Sequence, residues 1–143
     1  MYKILSSKYA EDVGVSRVTI MTDLGEFSGM AVLHPDDRAY ASSFTGCHIA
    51  ELRAKRKYWL ALRKQYKATK KELIETRTAI ASLRTAADHY KVISVIDKRI
   101  QNIDKNIDEL TAWIQDTRRI AAMIDTTHRE TVNRINQKKD KTN

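Results

Sequence analysis

From Ile93 to Ile114 the chain places Ile93, Ile96, Ile100, Ile103, Ile107, Leu110 and Ile114 at intervals of three and four without a slip. That spacing specifies a helix with one narrow apolar stripe, the kind that packs against another long helix. A second stripe precedes it: Leu52, Trp59, Leu62, Tyr66, Thr69, Leu73, Thr76, Ile80 and Leu83. Beyond Ile114 the stripe continues more weakly through Ala121, Ile124, His128 and Ile135. Extending the first stripe past Leu83 predicts apolar residues at 87, 90, 94 and 97, whereas they stand at 93, 96 and 100. The phase breaks between residues 84 and 92, with Asp88 as a helix N-cap. Two helices are therefore expected, about 47–84 and 89–138, and residues 139–143 form a basic tail that should fray. Helices of roughly forty residues are about 60 Å long. Folding back as an antiparallel coiled-coil hairpin lets each stripe cover the other; a parallel coiled coil between chains is the alternative. Composition agrees, with four Gly, one Pro and two Phe in 143 residues.

The first 45 residues read differently. Tyr2 to Leu5 is a short apolar run, and residues 6–14 are polar. Val15–Thr22 is rich in β-branched residues, Asp23-Leu24-Gly25-Glu26 is a turn with Gly available for positive φ, and Phe27–Leu33 is apolar again. This predicts a β-hairpin head over 1–45, which needs the helices or another copy of the chain to be stable. Pro35 ends the second strand. Thr45 is the expected N-cap of the first helix, and Gly46 lets the chain turn into it. The fold class expected is mainly α: an N-terminal hairpin, a helical hairpin over 46–138, and homo-oligomerisation.

The net charge of +8 is unevenly placed, the first 45 residues carrying −2 and the remainder +10. A basic helical part suits an anionic partner: nucleic acid, a nucleotide or an acidic protein. The alternative is a solvated helical surface. The densest run is Arg53, Lys55, Arg56, Lys57, Arg63, Lys64, Lys67, Lys70 and Lys71, where no acidic residue intervenes and Tyr58, Trp59 and Tyr66 are interleaved. Cations bind phosphates by counterion release and aromatic rings can stack bases. Trp59 and Tyr66 lie on the apolar stripe, however, which favours a packing role. Arg53, Arg56, Lys57, Arg63 and Lys64 are the candidate ligand residues, and the basic face 53–71 is the candidate nucleic-acid surface. Arg53 and Lys57 stand one turn apart near the helix start, where free N–H groups favour anions. Alternatively, Ile49 and Leu52 dock the helix start on the hairpin. Arg118, Arg119, Arg129 and Arg134 form a looser set that could extend the patch, unless Asp116 and Asp125 pair with them.

Cys47 is the only cysteine, which excludes an intrachain disulfide and suits a reducing compartment. No apolar run follows Met1 to Ser7, so no signal peptide is expected, and no stretch is long enough to span a membrane. An intracellular location is expected, without a membrane partner. His34, Asp36, Asp37, Cys47 and His48 include metal-ligand types. His34-Pro35-Asp36-Asp37 resembles the zinc motif of LmbE/PIG-L-type deacetylases. Arg38 stands where that family has a further acidic residue, no later His-x-x-His follows, and a strand-ending turn is the plainer reading. No metal, cofactor or catalysis is expected: the sequence offers no Ser/Cys–His–acid set on a suitable scaffold and no Gly-rich phosphate loop.

Phe27-x-Gly29-x-Ala31-x-x-His34-Pro35-x-Asp37, followed by Thr45-Gly46-x-x-Ile49-Ala50-x-x-Arg53-Ala54-x-x-Lys57, resembles small accessory proteins of tailed phages that infect Gram-positive bacteria. The similarity covers residues 26–57. Some small phage proteins with a β-core and long helices, such as the first anti-Thoeris sponge family, oligomerise and sequester a nucleotide signal. The resemblance implies a non-enzymatic anti-defence inhibitor with Arg53, Arg56 and Lys57 as the first phosphate contacts. Three functions are therefore expected in this order: a phage inhibitor that binds a nucleotide signal or a host protein, a basic nucleic-acid-binding protein, or a structural coiled-coil scaffold.

Overall fold

The computed structural model describes residues 1–10, 12–32, 43–83 and 89–142, with the side chains of residues 43, 44 and 142 left aside. Three strands, β1 (Tyr2–Ala10), β2 (Val15–Thr22) and β3 (Gly25–Val32), precede two helices, α1 (Ser43–Ala81) and α2 (His89–Thr142). The chain divides into two compact units, Met1–Tyr58 with Ile114–Asn143, and Trp59–Trp113.

In the first unit the strands form an antiparallel sheet of order β1-β2-β3. The expected two-stranded hairpin is thus a three-stranded sheet. β1 runs to Ala10, past the short apolar run and through residues that the sequence marks only as polar. A register shift between Ile4 and Ser6 breaks the alternation of side chains and leaves Ile4 and Leu5 both exposed. Ser6–Ala10 then pair with β2 through the backbone, which needs no apolar pattern. The β2–β3 turn is as read. Gly25 takes φ 104°, Thr22 accepts from the Leu24 N–H at 3.1 Å and donates to the Gly25 carbonyl at 2.8 Å.

One sheet face carries Ser16, Val18, Ile20 and Thr22, all buried, while Arg17 and Met21 on the other face are exposed. Helix α1 lies on the buried face. A Cβ at Gly29 would collide with the Ala50 carbonyl oxygen and stand 2.5 Å from the Ala54 nitrogen. Ala50 and Ala54 are themselves fully buried, so sheet and helix meet backbone to backbone. Gly46 works the same way: a Cβ there would strike Ser16 Oγ. It lies inside α1, which starts at Ser43 rather than 47, so its expected role as the entry into the helix gives way to space for the sheet. Thr45 likewise lies inside the helix. Larger side chains frame this contact. Tyr58 packs on Phe27 with ring centroids 5.8 Å apart and donates to Asp23 at 2.5 Å. Tyr2 donates to Glu51 at 2.9 Å, and Lys55 sits 4.6 Å from the Tyr2 ring centroid and 3.4 Å from the Glu51 carboxylate. From α2 this unit buries Ile114, Thr117 and Val132. Val132, absent from the predicted stripe, takes the buried place expected for Ile135, which is exposed. α2 remains helical to Thr142, four residues beyond its expected end.

In the second unit the helices run antiparallel. Going down α1 and up α2, Trp59 meets Trp113 at 5.5 Å between centroids, Arg63 donates to Thr111 at 3.1 Å, Lys70 pairs with Asp104 at 2.6 Å and Arg77 with Asp97 at 2.6 Å. Ile96, Ile103 and Leu110 are buried, and Ile93, Ile100 and Ile107 are half-buried, as the stripe predicts. The α1 stripe is less regular: Thr76 is exposed and Leu83 lies beyond the helix end. Among the described residues no helix is long and apolar enough to cross a membrane.

Candidate anion-binding cleft

The arginines of the first unit are set by the spacing of α1. Ala50, Ala54 and Tyr58 occupy the face against the sheet, which places Arg53, Arg56 and Lys57 beside it, over the free edge of β3. On an edge strand alternate residues turn their carbonyls away from the sheet. Arg53 Nη1 donates to the Met30 carbonyl at 2.6 Å, and Lys57 Nζ to the Ser28 carbonyl at 2.7 Å. Two of the expected phosphate contacts are therefore part of how α1 closes the edge of β3. Arg53 also stands ten residues into α1, about 15 Å from its start. The helix N-terminus therefore contributes nothing to it, because that field fades within the first turn.

On one side of Arg53 and Arg56, α1 and the last part of α2 bound a cleft of about 450 Å³. Among the described residues its cations are Arg53, Arg56, Arg118 and Arg129, and its one carboxylate is Asp125. Ile49, Leu52 and Ala121 give it an apolar wall. Arg56 matters most. Its Nε is buried and has no hydrogen-bond partner among the described residues. A buried charged donor left unmatched is costly, and such groups call for a reason. On the other side of the same two arginines, Arg17 and Lys57 border a second depression of about 510 Å³ with no carboxylate among its described lining residues. Arg17 reaches the Met30 sulfur at 3.2 Å.

Of the five candidate residues, the structure brings together Arg53, Arg56 and Lys57. Arg63 and Lys64 belong to the second unit. Arg63 donates to Thr111, and Lys64 is exposed. The run 52–71 lacks acidic residues in sequence but not in space. Lys67, Lys70 and Lys71 line a groove with Glu75, Asp104 and Asp108, and Lys70 is paired with Asp104. The interleaved aromatics are packed: Tyr58 in the sheet contact, Trp59 against Trp113. The looser set on α2 divides. Arg119 pairs with Asp116 and Arg129 with Asp125, both at 3.3 Å on exposed positions, the pairing weighed against a basic patch. Arg118 and Arg129 line the same cleft as Arg53 and Arg56. Arg17 was not legible as a site residue, since nothing in a strand sequence says which helix will lie along the sheet edge.

His34, Asp36 and Asp37 lie outside the described residues. Among the described residues no group of three metal-ligand side chains is present; Cys47 and His48 are half-buried at the start of α1. Comparison of the chain with protein-family models, with curated proteins and with solved structures gives no match.

Proposed function

We propose that this chain is a non-enzymatic binding protein whose arginine cleft takes a phosphate-bearing small molecule. The observation that carries the reading is Arg56: a cation whose buried Nε has no partner among the described residues, in a cleft shared with Arg53, Arg118 and Arg129. A guanidinium binds phosphate through paired N–H donors, which suits Arg56 and the arginines beside it to a phosphate group. A cleft of about 450 Å³ is in the range of small-molecule sites. Apolar walls beside the cations suit a ligand with an organic body, such as a nucleotide.

The resemblance of residues 26–57 to tailed-phage accessory proteins supports placing this binding in the inhibition of a host defence, by sequestering a nucleotide signal in the host cytoplasm. The three-and-four spacing on both helices supports coiled-coil packing in the Trp59–Trp113 unit and assembly into homo-oligomers. Light scattering tests the assembly; a strictly monomeric protein removes it.

Calorimetric titration with AMP tests the site. Binding should be saturable, be weakened at least about tenfold by Arg56→Gln and by Arg118→Gln, and persist in an Arg63→Gln, Lys64→Gln double variant. Retention of full affinity in Arg56→Gln sinks the assignment. A second reading, single-stranded nucleic acid, is favoured by the depression at Arg17 and Lys57, whose described lining residues include no carboxylate. It predicts that an oligonucleotide binds far more tightly than AMP and loses affinity steeply with salt.

A further inference from the structure

The cleft is not uniformly cationic. Asp125 stands among its four arginines, and it also borders the small adjoining cavity lined by Tyr9, Ser16 and His128. A site for a bare polyanion gains nothing from a carboxylate at that position, because like charges brought together disfavour the ligand. The carboxylate is not consumed by its neighbour either. Its contact with Arg129 is a single 3.3 Å approach of Oδ2, one helical turn apart, with both side chains more than half exposed. Such pairs contribute little. Oδ1 has no partner among the described residues and remains an acceptor.

We propose, building on the phosphate-site reading above, that Asp125 selects a phosphate ester carrying a hydroxyl or amine donor beside its phosphate, a sugar phosphate or ribonucleotide, and rejects inorganic polyphosphate. Arg56, Arg118 and Arg53 hold the phosphate. Asp125 accepts the hydrogen bond from the neighbouring donor, a charge-assisted bond that only the hydroxylated ligand makes. The same carboxylate repels a second phosphate placed there. Discrimination thus combines an attractive and a repulsive element at one residue. Ile49, Leu52 and Ala121 flank the organic part of the ligand.

The test compares ribose 5-phosphate with pyrophosphate by calorimetry, on the wild type, Asp125→Asn and Arg129→Gln. The wild type should prefer ribose 5-phosphate. Asp125→Asn should strengthen pyrophosphate binding about tenfold and weaken ribose 5-phosphate, reversing or abolishing the preference. Arg129→Gln breaks the ion pair but keeps the carboxylate, so the preference should survive it. Three results overturn the inference: a wild type that prefers pyrophosphate, an Asp125→Asn that shifts both ligands equally, or an Arg129→Gln that reproduces the Asp125→Asn reversal. If neither compound binds any of the three proteins and AMP does not bind either, the phosphate site itself is wrong and the selectivity falls with it. Circular dichroism of each variant confirms that α2 is retained.

Discussion

The Arg53 guanidinium donates to the main-chain carbonyl of Met30 at 2.6 Å, and one turn on Lys57 does the same to Ser28 at 2.7 Å. Helix α1 thereby occupies outward-facing carbonyls of the exposed edge of β3, where an unprotected strand invites pairing with another chain. Replacing both residues by Met keeps the apolar stems and removes the donors. Because these contacts are exposed, the loss expected in urea unfolding is modest, about 1 kcal/mol for the pair. The larger expected effect is concentration-dependent association, measured by light scattering. A double variant that remains as dispersed as the wild type removes this edge-protecting role.

Gly29 is the tightest point of the helix-on-sheet contact. A methyl group there meets the backbone of Ala50 and Ala54, which cannot move without shifting α1. Gly29→Ala should cost about 3 kcal/mol in chemical unfolding, at the upper end for an overpacked core. An unchanged midpoint would mean that α1 does not approach β3 this closely.

The only two tryptophans, Trp59 and Trp113, are in contact in the second unit. Tryptophan fluorescence and near-ultraviolet dichroism therefore report on the pairing of α1 with α2 there. Trp59→Phe and Trp113→Phe should each abolish the same coupled dichroism band, and each should cost about 1 kcal/mol beyond lost area. Two independent bands that simply add would argue against the antiparallel contact.

Lys55 offers a pH test. Burial alone pulls its pKa down, but the Tyr2 contact and the Glu51 carboxylate outweigh that and leave it above the usual lysine value of 10.5. The folded pKa exceeds the unfolded one, so this stabilisation is complete below pH 10.5 and is lost as the pH rises through the raised value. Lys55→Gln should be less stable than the wild type at pH 8, with the gap closing as the pH rises through the raised Lys55 value. A gap that stays constant across that range would show that the Lys55 charge is not what stabilises.

Much of the helical part was legible because its signal is local and repeated. The stripe from Ile93 to Ile114 is the least exposed line of α2, since a helix shows the same face every three to four residues and any apolar partner selects it. The strands Val15–Thr22 and the turn at Gly25 were legible for the same reason: β-branched residues and a glycine at positive φ are short-range preferences. β1 beyond Leu5 was not, because its bulge scrambles the alternation and its hydrogen bonds go to β2 through the backbone. The cleft was half legible. Charge density named Arg53, Arg56 and Lys57, but the same criterion also named Arg63 and Lys64, whose neighbours differ.

The sequence by itself determined two long helices, a glycine-turned strand pair, and a basic surplus confined to the helical part, because periodicity, turn chemistry and charge are properties of residues a few positions apart. Only the tertiary structure decided which cations share a cleft. Arg53 and Arg56 meet Arg118, Arg129 and Asp125 because Gly29, Ala50 and Ala54 let α1 lie close on the sheet while the end of α2 packs beside it. Contacts between residues more than sixty positions apart depend on how closely backbones can approach, and no local pattern encodes that distance.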